Sequence, residues 1–141
     1  MSPSTSPRTR FPTPMRVRYA DTDASGTVHH SAYLAYFEVA RVEALRGLGF
    51  PIGGLEESGV FMPVVEARAR YLRPACLDDL LEVSVLLDRV GPASFSFDYE
   101  VTRDGLLLAT GWTRTAVIER DTGRPLQLPD WVRDLLGGIP R

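Results

Sequence analysis

The sequence predicts an α+β fold in which one long helix packs against an antiparallel sheet. The segment from about His30 to Leu48 is apolar around most of its helical circumference, which is typical of a buried helix. Five other segments have the composition or alternation of strands, and most of them are separated by short turns that require antiparallel pairing. One central helix with a single antiparallel sheet is an α+β architecture, and we expect the sheet to curl around the helix.

The chain before the helix predicts a flexible segment, one strand and a loop. Residues 1–14 contain four prolines and no apolar period, so we expect a flexible N-terminal extension and a single folded domain over residues 15–141. The alternation in Met15–Ala20 predicts the first strand. The polar, glycine-containing residues 21–26 predict a loop before the helix, and Gly47, Gly49 and Pro51 predict the end of the helix.

The chain after the helix predicts four strands and a short terminal helix. The strands are expected at Val64–Tyr71, Leu80–Val90, Ser94–Thr102 and Leu106–Glu119. The third of these has the clearest alternation, with inward residues Phe95, Phe97, Tyr99 and Val101. The Asp104-Gly105 pair predicts a tight hairpin, and Asp130–Leu136 predicts a helix with Asp130 as its N-cap. The sheet is therefore expected to have five or six strands.

Composition excludes several classes of protein. A length of 141 residues is typical of one domain, and 44% hydrophobic with 24% charged residues is ordinary for a globular chain. The net charge of −2 argues against nucleic-acid binding. No apolar run is long enough to insert into a membrane, and no secretory signal precedes the domain, so a cytoplasmic location is expected.

The cysteine, histidine and lysine counts limit the chemistry further. The chain has one cysteine and two histidines, too few for an internal disulfide or a Cys₂His₂ or Cys₄ zinc site. All 16 basic residues are arginine, which excludes lysine Schiff-base chemistry. We therefore expect no metal and no cofactor.

The loop that leads into the helix is the candidate site. It contains two carboxylates, Asp21 and Asp23, followed by Gly26, which can let the chain approach a ligand closely. The N-terminus of the next helix offers unpaired backbone N–H groups and a partial positive charge, which can polarise a carbonyl oxygen. A carboxylate beside such an end can attack a carbonyl or activate a water, the minimum equipment for acyl transfer.

Three other interpretations of this loop stay open. The carboxylates can cap the loop through Asx-turns. Asp21, Asp23 and Ser25 match the first positions of an EF-hand calcium loop, although the twelfth position is Ala32 where that loop requires glutamate. His29 and His30 could be a metal pair, although neighbouring helical residues do not face one another and no third ligand is evident.

The motif itself resembles a known enzyme family. It reads Tyr19-x-Asp21-x-Asp23-x-x-Gly26-x-Val28-x-x-x-x-Tyr33, followed by Phe37-Glu38-x-Ala40-Arg41. This pattern resembles the 4-hydroxybenzoyl-CoA thioesterase family, and within it the bacterial short-chain acyl-CoA thioesterases of the Tol–Pal-associated type. A second match, Tyr71-x-x-Pro74-Ala75-x-x-x-Asp79, is similar to the family's second strand and the turn after it. The resemblance implies the hotdog fold, a long helix wrapped by an antiparallel sheet.

The resemblance also implies an activity and roles for individual residues. The activity is hydrolysis of an acyl-CoA thioester to a free carboxylic acid and coenzyme A, so coenzyme A is part of the substrate. Asp23 would be the catalytic carboxylate, and the backbone N–H near His30 would polarise the thioester carbonyl. Some relatives carry tyrosine at position 30, and the His30 side chain could add a donor. Tyr33 would pack in or line the pocket, and Gly26 and Val28 would be substrate-binding residues. We expect Asp21 to be structural, either orienting the loop or capping local N–H groups.

Two further expectations concern coenzyme A and the assembly. The coenzyme A phosphates must meet positive charge, for which the candidates are Arg68, Arg70, Arg73, Arg89 and Arg124. Arg89, next to the turn at Gly91, and Ser94 after that turn are preferred. In the resembled family the active sites lie between subunits whose sheets join edge to edge, so a homodimer or homotetramer is expected.

The alternative function is a non-catalytic module on the same fold that binds acyl-CoA or an acyl carrier. Such a module does not need an ionised carboxylate beside an oxyanion site. Asp23 therefore favours the enzyme.

Overall fold

The computed structural model describes residues 8–137, in which seven strands and two helices follow one another. The strands are β1 (Phe11–Arg16), β2 (Val60–Phe61), β3 (Val64–Tyr71), β4 (Leu80–Val90), β5 (Ser94–Arg103), β6 (Leu106–Ala116) and β7 (Ile118–Glu119). The helices are α1 (Ala32–Leu48) and α2 (Asp130–Leu136). Short 3₁₀ turns cover Tyr19–Asp21 and Ile52–Ser58.

Five strands form one antiparallel sheet in the order β1-β4-β5-β6-β3, and β2 and β7 form a separate pair. The tight hairpin predicted between β5 and β6 is confirmed, because Asp104 and Gly105 both have positive φ angles of 51° and 79°. Two such residues match the twist of the flanking strands in a two-residue hairpin. The α+β class predicted from the sequence is therefore confirmed.

The first strand is displaced from its predicted position. The expected strand was Met15–Ala20, but β1 begins at Phe11, opposite Val85, and ends at Arg16, opposite Leu80. Residues 11–14 thus belong to the sheet and not to a flexible extension. The prolines at positions 12 and 14 are compatible with this because β1 is an edge strand, in which alternate residues turn away from the neighbouring strand and need no N–H donor.

Helix α1 is exposed along one face in the single chain, so the prediction of an all-round buried helix is wrong. Its sheet-facing side chains are buried, whereas Leu34 and Val39 on the opposite face are each nearly half exposed. The sheet lies on one side of the helix and cannot cover the other. The helix begins at Ala32, two residues later than expected, and ends as predicted at Leu48. Gly49 follows as the C-cap, with a positive φ of 99°.

The core between α1 and the sheet is built from the inward residues of β5 and the aromatic residues of the helix. The predicted inward set is confirmed, since Phe95, Phe97, Tyr99 and Val101 are all buried. Phe37 of α1 stacks on Tyr99 with ring centroids 4.5 Å apart.

The last two predicted elements differ slightly from the structure. The strand expected at Leu106–Glu119 is interrupted, because β6 ends at Ala116 and β7 pairs with β2 in the separate sheet. Asp130 is the first residue of α2 and not its N-cap, a position that Pro129 occupies without a side-chain hydrogen bond. Within residues 8–137, no helix combines the length and apolar character needed to cross a membrane.

The edge strand β3 is open to solvent on both of its faces. Val65 and Tyr71 within it, and Leu72 just after it, are large apolar or aromatic residues that are about half exposed. Its inner edge pairs with β6, and no strand in the described part of the chain pairs with its outer edge. This edge borders the candidate site.

Candidate active site

The loop before α1 closes on itself like a small hairpin. The Asp21 carbonyl accepts a hydrogen bond from the His29 N–H at 2.8 Å, and the Asp23 N–H donates to the Thr27 carbonyl at 2.9 Å. At the turn, Gly26 has a φ of 80°, and a Cβ there would meet no atom within 4 Å. Glycine is therefore favoured at position 26 by its positive φ, and not by a close approach of the chain within this protomer.

Asp23 is exposed, and only one of its carboxylate oxygens is engaged. Its Oδ1 accepts hydrogen bonds from the Ser25 N–H at 2.9 Å, from the Ser25 hydroxyl at 2.5 Å and from the Thr27 hydroxyl at 3.4 Å. These bonds form the Asx-turn that was one of the alternatives. Oδ2 has no hydrogen-bond partner among residues 8–137 and remains available to a ligand. The hydrogen bond from the Ser25 hydroxyl is the main cause that lowers the pKa of Asp23 below its ordinary value.

Asp21 has the opposite environment and is buried. Its carboxylate pairs with the Arg18 guanidinium at 2.8 Å and accepts a hydrogen bond from the Tyr36 hydroxyl at 2.9 Å. The hydrogen bond from Arg18 is the main cause that lowers the pKa of Asp21. The partners of this carboxylate are Arg18 and Tyr36, whereas those of Asp23 are Ser25 and Thr27, so the two carboxylates share no partner.

The start of α1 presents one unpaired backbone N–H beside Asp23. The Ala32 N–H donates to the His29 carbonyl, and the Ser31 N–H donates to Nδ1 of the His29 ring. The His30 N–H has no acceptor within the part of the chain that the structure describes. This N–H is therefore free to donate a hydrogen bond to a thioester oxygen.

Asp23 and His30 line one cleft of about 420 Å³. Val28 and Tyr33, both predicted as pocket residues, also line it. Gly26 lies in the same loop but does not line the cleft. Arg89 and Ser94 line a different cleft of about 270 Å³ on the β4–β5 turn, so a single protomer does not bring them together with Asp23.

The rest of the cleft comes from the end of β3 and the residues after it, which are Tyr71, Leu72, Arg73 and Pro74. The Tyr71 hydroxyl donates to the His30 carbonyl at 3.1 Å, and its ring lies 5.1 Å from that of Tyr33. None of these four was singled out as a pocket residue, although Tyr71 and Pro74 belong to the second motif match and Arg73 was one of five arginine candidates. Only folding brings this segment beside the loop, which lies about 50 residues earlier in the chain.

The two histidine side chains lie side by side just before α1. The His29 ring bonds to the Ser31 hydroxyl at 2.8 Å and lies 4.2 Å from the His30 ring. In residues 8–137 there is no group of three or more histidine, cysteine, aspartate or glutamate residues placed to hold a metal ion.

Comparisons with known proteins agree on one family. Residues 17–136 match the model of the thioesterase-like superfamily. The chain is 37% identical over 124 residues to the acyl-CoA thioesterase YbgC of Haemophilus influenzae, covering 87% of this chain and 91% of that protein. It is 33% identical over 122 residues to a 1,4-dihydroxy-2-naphthoyl-CoA hydrolase of Synechococcus, covering 82% of each.

Solved structures show the same similarity. The DHNA-CoA thioesterase of Staphylococcus aureus superposes with a TM-score of 0.85 at 28% identity, covering 92% of this chain and 89% of that one. A probable thioesterase of Bartonella henselae superposes with a TM-score of 0.79 at 33% identity, covering 86% of this chain and 100% of that one.

Proposed function

We propose that this chain hydrolyses acyl-CoA to a free carboxylic acid and coenzyme A. The premise is that the chain belongs to the thioesterase-like superfamily and is a thioester hydrolase with the hotdog fold. The observation that carries the proposal is the pairing of two free groups on one cleft. Both residues line the cleft: Asp23, whose Oδ2 has no partner in residues 8–137, and His30, whose backbone N–H has none there.

The two groups suit the two demands of thioester hydrolysis. As the carbonyl carbon becomes tetrahedral, negative charge grows on its oxygen, and the His30 N–H at the helix N-terminus would stabilise that charge. Asp23 would attack the carbon, so that the C–S bond breaks, the coenzyme A thiolate leaves and an anhydride forms, which water then hydrolyses to the free acid and the aspartate. Alternatively, it would remove a proton from a water that attacks the carbon, and the C–S bond would break with release of the same thiolate. Both routes need an ionised carboxylate, and the lowered pKa of Asp23 keeps it ionised at neutral pH.

The substrate's phosphates require cations near the cleft. We retain Arg89 and Ser94 as proposed contacts and add Arg73, which lines the Asp23 cleft itself. The Arg73 guanidinium forms no ion pair with another residue of the described range, and its one hydrogen bond, to the Leu107 carbonyl, is long at 3.4 Å. It is therefore free to meet an anionic group. No separate cofactor is part of the proposal.

The proposed enzyme is a homodimer or homotetramer, with a cytoplasmic location. The open edge of β3 can pair with the same strand of a second copy, because the unpaired N–H and C=O groups of an edge strand can bind another strand. Tyr71 and Leu72 lie at this edge and line the Asp23 cleft, so a second copy there would close one side of the site.

The test is release of free thiol from a panel of acyl-CoAs by the wild type and by Asp23→Asn. The panel includes acetyl, butyryl, hexanoyl, palmitoyl and hydroxybenzoyl thioesters. We expect wild-type turnover and a loss of about 10²-fold or more in kcat for the variant, which is the scale of one catalytic group. Asp121→Asn, an exposed carboxylate outside the cleft, is the matched control and should keep its turnover.

Each outcome has a clear meaning. Turnover of Asp23→Asn near that of the wild type, with the fold intact by circular dichroism, would remove Asp23 from the chemistry. Wild-type binding of acyl-CoA without any turnover would instead identify the non-catalytic binding module.

A further inference from the structure

We propose that Asp21 and Tyr36 are positioning residues that keep the Asp23 loop at a fixed position relative to the start of α1. This inference rests on the proposed function. Neither residue lines the Asp23 cleft. Both act through the backbone that carries Asp23 and the His30 N–H.

The side chain of Asp21 is fixed from several directions. It is only 4% exposed, and its carboxylate accepts hydrogen bonds from the Arg18 backbone N–H at 3.0 Å, from the Arg18 guanidinium at 2.8 Å and from the Tyr36 hydroxyl at 2.9 Å. A buried carboxylate that loses one of its donors carries a desolvation cost, so this arrangement resists displacement.

The backbone of Asp21 selects which amide faces the substrate. Its carbonyl accepts the His29 N–H at 2.8 Å, which closes the loop that contains Asp23. Because this bond uses the His29 N–H, the next amide, that of His30, is the free one. A shift of one residue at this point would present the wrong amide to the thioester oxygen.

Tyr36 connects this loop to the helix. The residue lies in the second turn of α1, is 5% exposed, and its ring packs edge-on against Tyr33, which lines the cleft. Burial first, and then the bond to Asp21, raise the pKa of the Tyr36 hydroxyl, so it stays a hydrogen-bond donor over the whole working range of pH. Loss of this hydroxyl removes a direct bond between the helix and the loop.

The expected effect is on turnover and not on binding. Displacement of a catalytic group by about 1 Å can cost on the order of 10²-fold in rate. We expect Tyr36→Phe to lower kcat by about 10-fold or more. KM should stay within roughly 3-fold of the wild type, because every residue that lines the cleft is retained.

Tyr99→Phe is the matched control. Tyr99 is 1% exposed, and its hydroxyl bonds to the Thr113 hydroxyl at 2.7 Å and to the Arg41 guanidinium at 3.1 Å, without touching the loop. Both variants lose a buried tyrosine hydroxyl, so their melting temperatures should fall comparably. Only Tyr36→Phe should lose kcat, and only in that variant should the His29 amide proton exchange faster by NMR.

A second variant covers the case in which Tyr36→Phe does not fold. Arg18→Gln removes a mostly exposed guanidinium from the same carboxylate without opening the core, and it should also lower kcat more than KM. Equal kcat in Tyr36→Phe, Tyr99→Phe and the wild type would overturn this inference alone. A wild type without turnover would overturn the proposed function and this inference with it.

Discussion

Asp21 and Asp23 are two residues apart in one loop, yet their surroundings suit them to different tasks. Asp21 is buried and saturated with donors, whereas Asp23 is exposed and keeps Oδ2 free. Both carboxyl groups have lowered pKa values, so charge alone does not distinguish them. At the scale of single residues, orientation determines which carboxylate can act on a substrate.

The pH dependence of the reaction should report on Ser25. Its hydroxyl is the main cause of the lowered pKa of Asp23. In the wild type, kcat/KM should therefore fall on the acid side (the acid limb of its pH profile) with an apparent pKa below the ordinary aspartate value of about 3.9. In Ser25→Ala the proton binds Asp23 more readily, and the limb should move to higher pH. Ser58→Ala, a hydroxyl outside the site, is the control, and an unmoved limb in Ser25→Ala would contradict the assignment.

The role of His30 should reside mainly in its backbone. His30→Ala removes the imidazole but keeps the N–H at the start of α1, so kcat should fall much less than in Asp23→Asn. Measurement of kcat for both variants on the same acyl-CoA checks this. Equal losses would show that the imidazole itself takes part in the reaction.

At the scale of elements, the contact between α1 and β6 sets how closely the helix approaches the sheet. Gly111 of β6 lies directly beneath the ring of Phe37, which is completely buried. A Cβ at position 111 would lie 2.3 Å from a ring carbon of Phe37, closer than any real contact. The absence of a side chain at this position therefore lets the helix that presents the His30 N–H pack at its observed distance.

Gly111→Ala should therefore destabilise the protein. Overpacking of a close-packed core costs about 1–3 kcal/mol, and we expect a loss of that size in the free energy of unfolding, measured by urea titration. Gly47→Ala in α1 is the matched control, since a Cβ there meets nothing within 4 Å and alanine favours a helix. A Gly111→Ala protein as stable as Gly47→Ala would show that the Phe37 ring can move aside without lowering the free energy of unfolding.

At the scale of the whole molecule, part of the exposed apolar surface borders the cleft, because Tyr71 and Leu72 line it. Leu34 and Val39 on α1, and Val65 and Tyr71 on β3, are all partly exposed in the single chain. An open strand edge with apolar side chains is a site where another strand can pair. The proposed assembly would cover this surface and complete the site together.

Val65→Arg should disrupt that assembly. The charge would be buried without a partner if a second copy pairs at β3, so the variant should elute as a monomer and lose turnover. Leu80→Arg is the control, because Leu80 has the same 52% exposure as Val65 but begins β4. Light scattering with size-exclusion chromatography measures both, and a Val65→Arg protein of wild-type mass would refute pairing through β3.

Several features of the fold were predictable because they depend on local patterns. Alternation in β5 predicted its inward residues, and the Asp104-Gly105 pair predicted a hairpin. The end of α1 was predicted by Gly47, Gly49 and Pro51. Features that depend on a neighbour were not predictable in the same way. The first strand was predicted four residues too late, at Met15–Ala20, because the prolines of Phe11–Arg16 are acceptable only at a sheet edge. Helix α1 was expected to be buried all round because its sequence does not show which side the sheet covers.

The α+β class, the loop that carries Asp23 and the helix after it are predictable from the sequence alone, because they follow from periodicity and from one contiguous motif. Packing between distant segments sets which oxygen of Asp23 stays free and which amide before α1 has no acceptor in residues 8–137. It also brings Tyr71 and Arg73 to the Asp23 cleft and places Arg89 and Ser94 on a different cleft. These outcomes depend on hydrogen bonds and packing between segments far apart in the chain, such as Tyr36 with Asp21 and Tyr71 with His30. A local pattern of residue types carries no information about those distances.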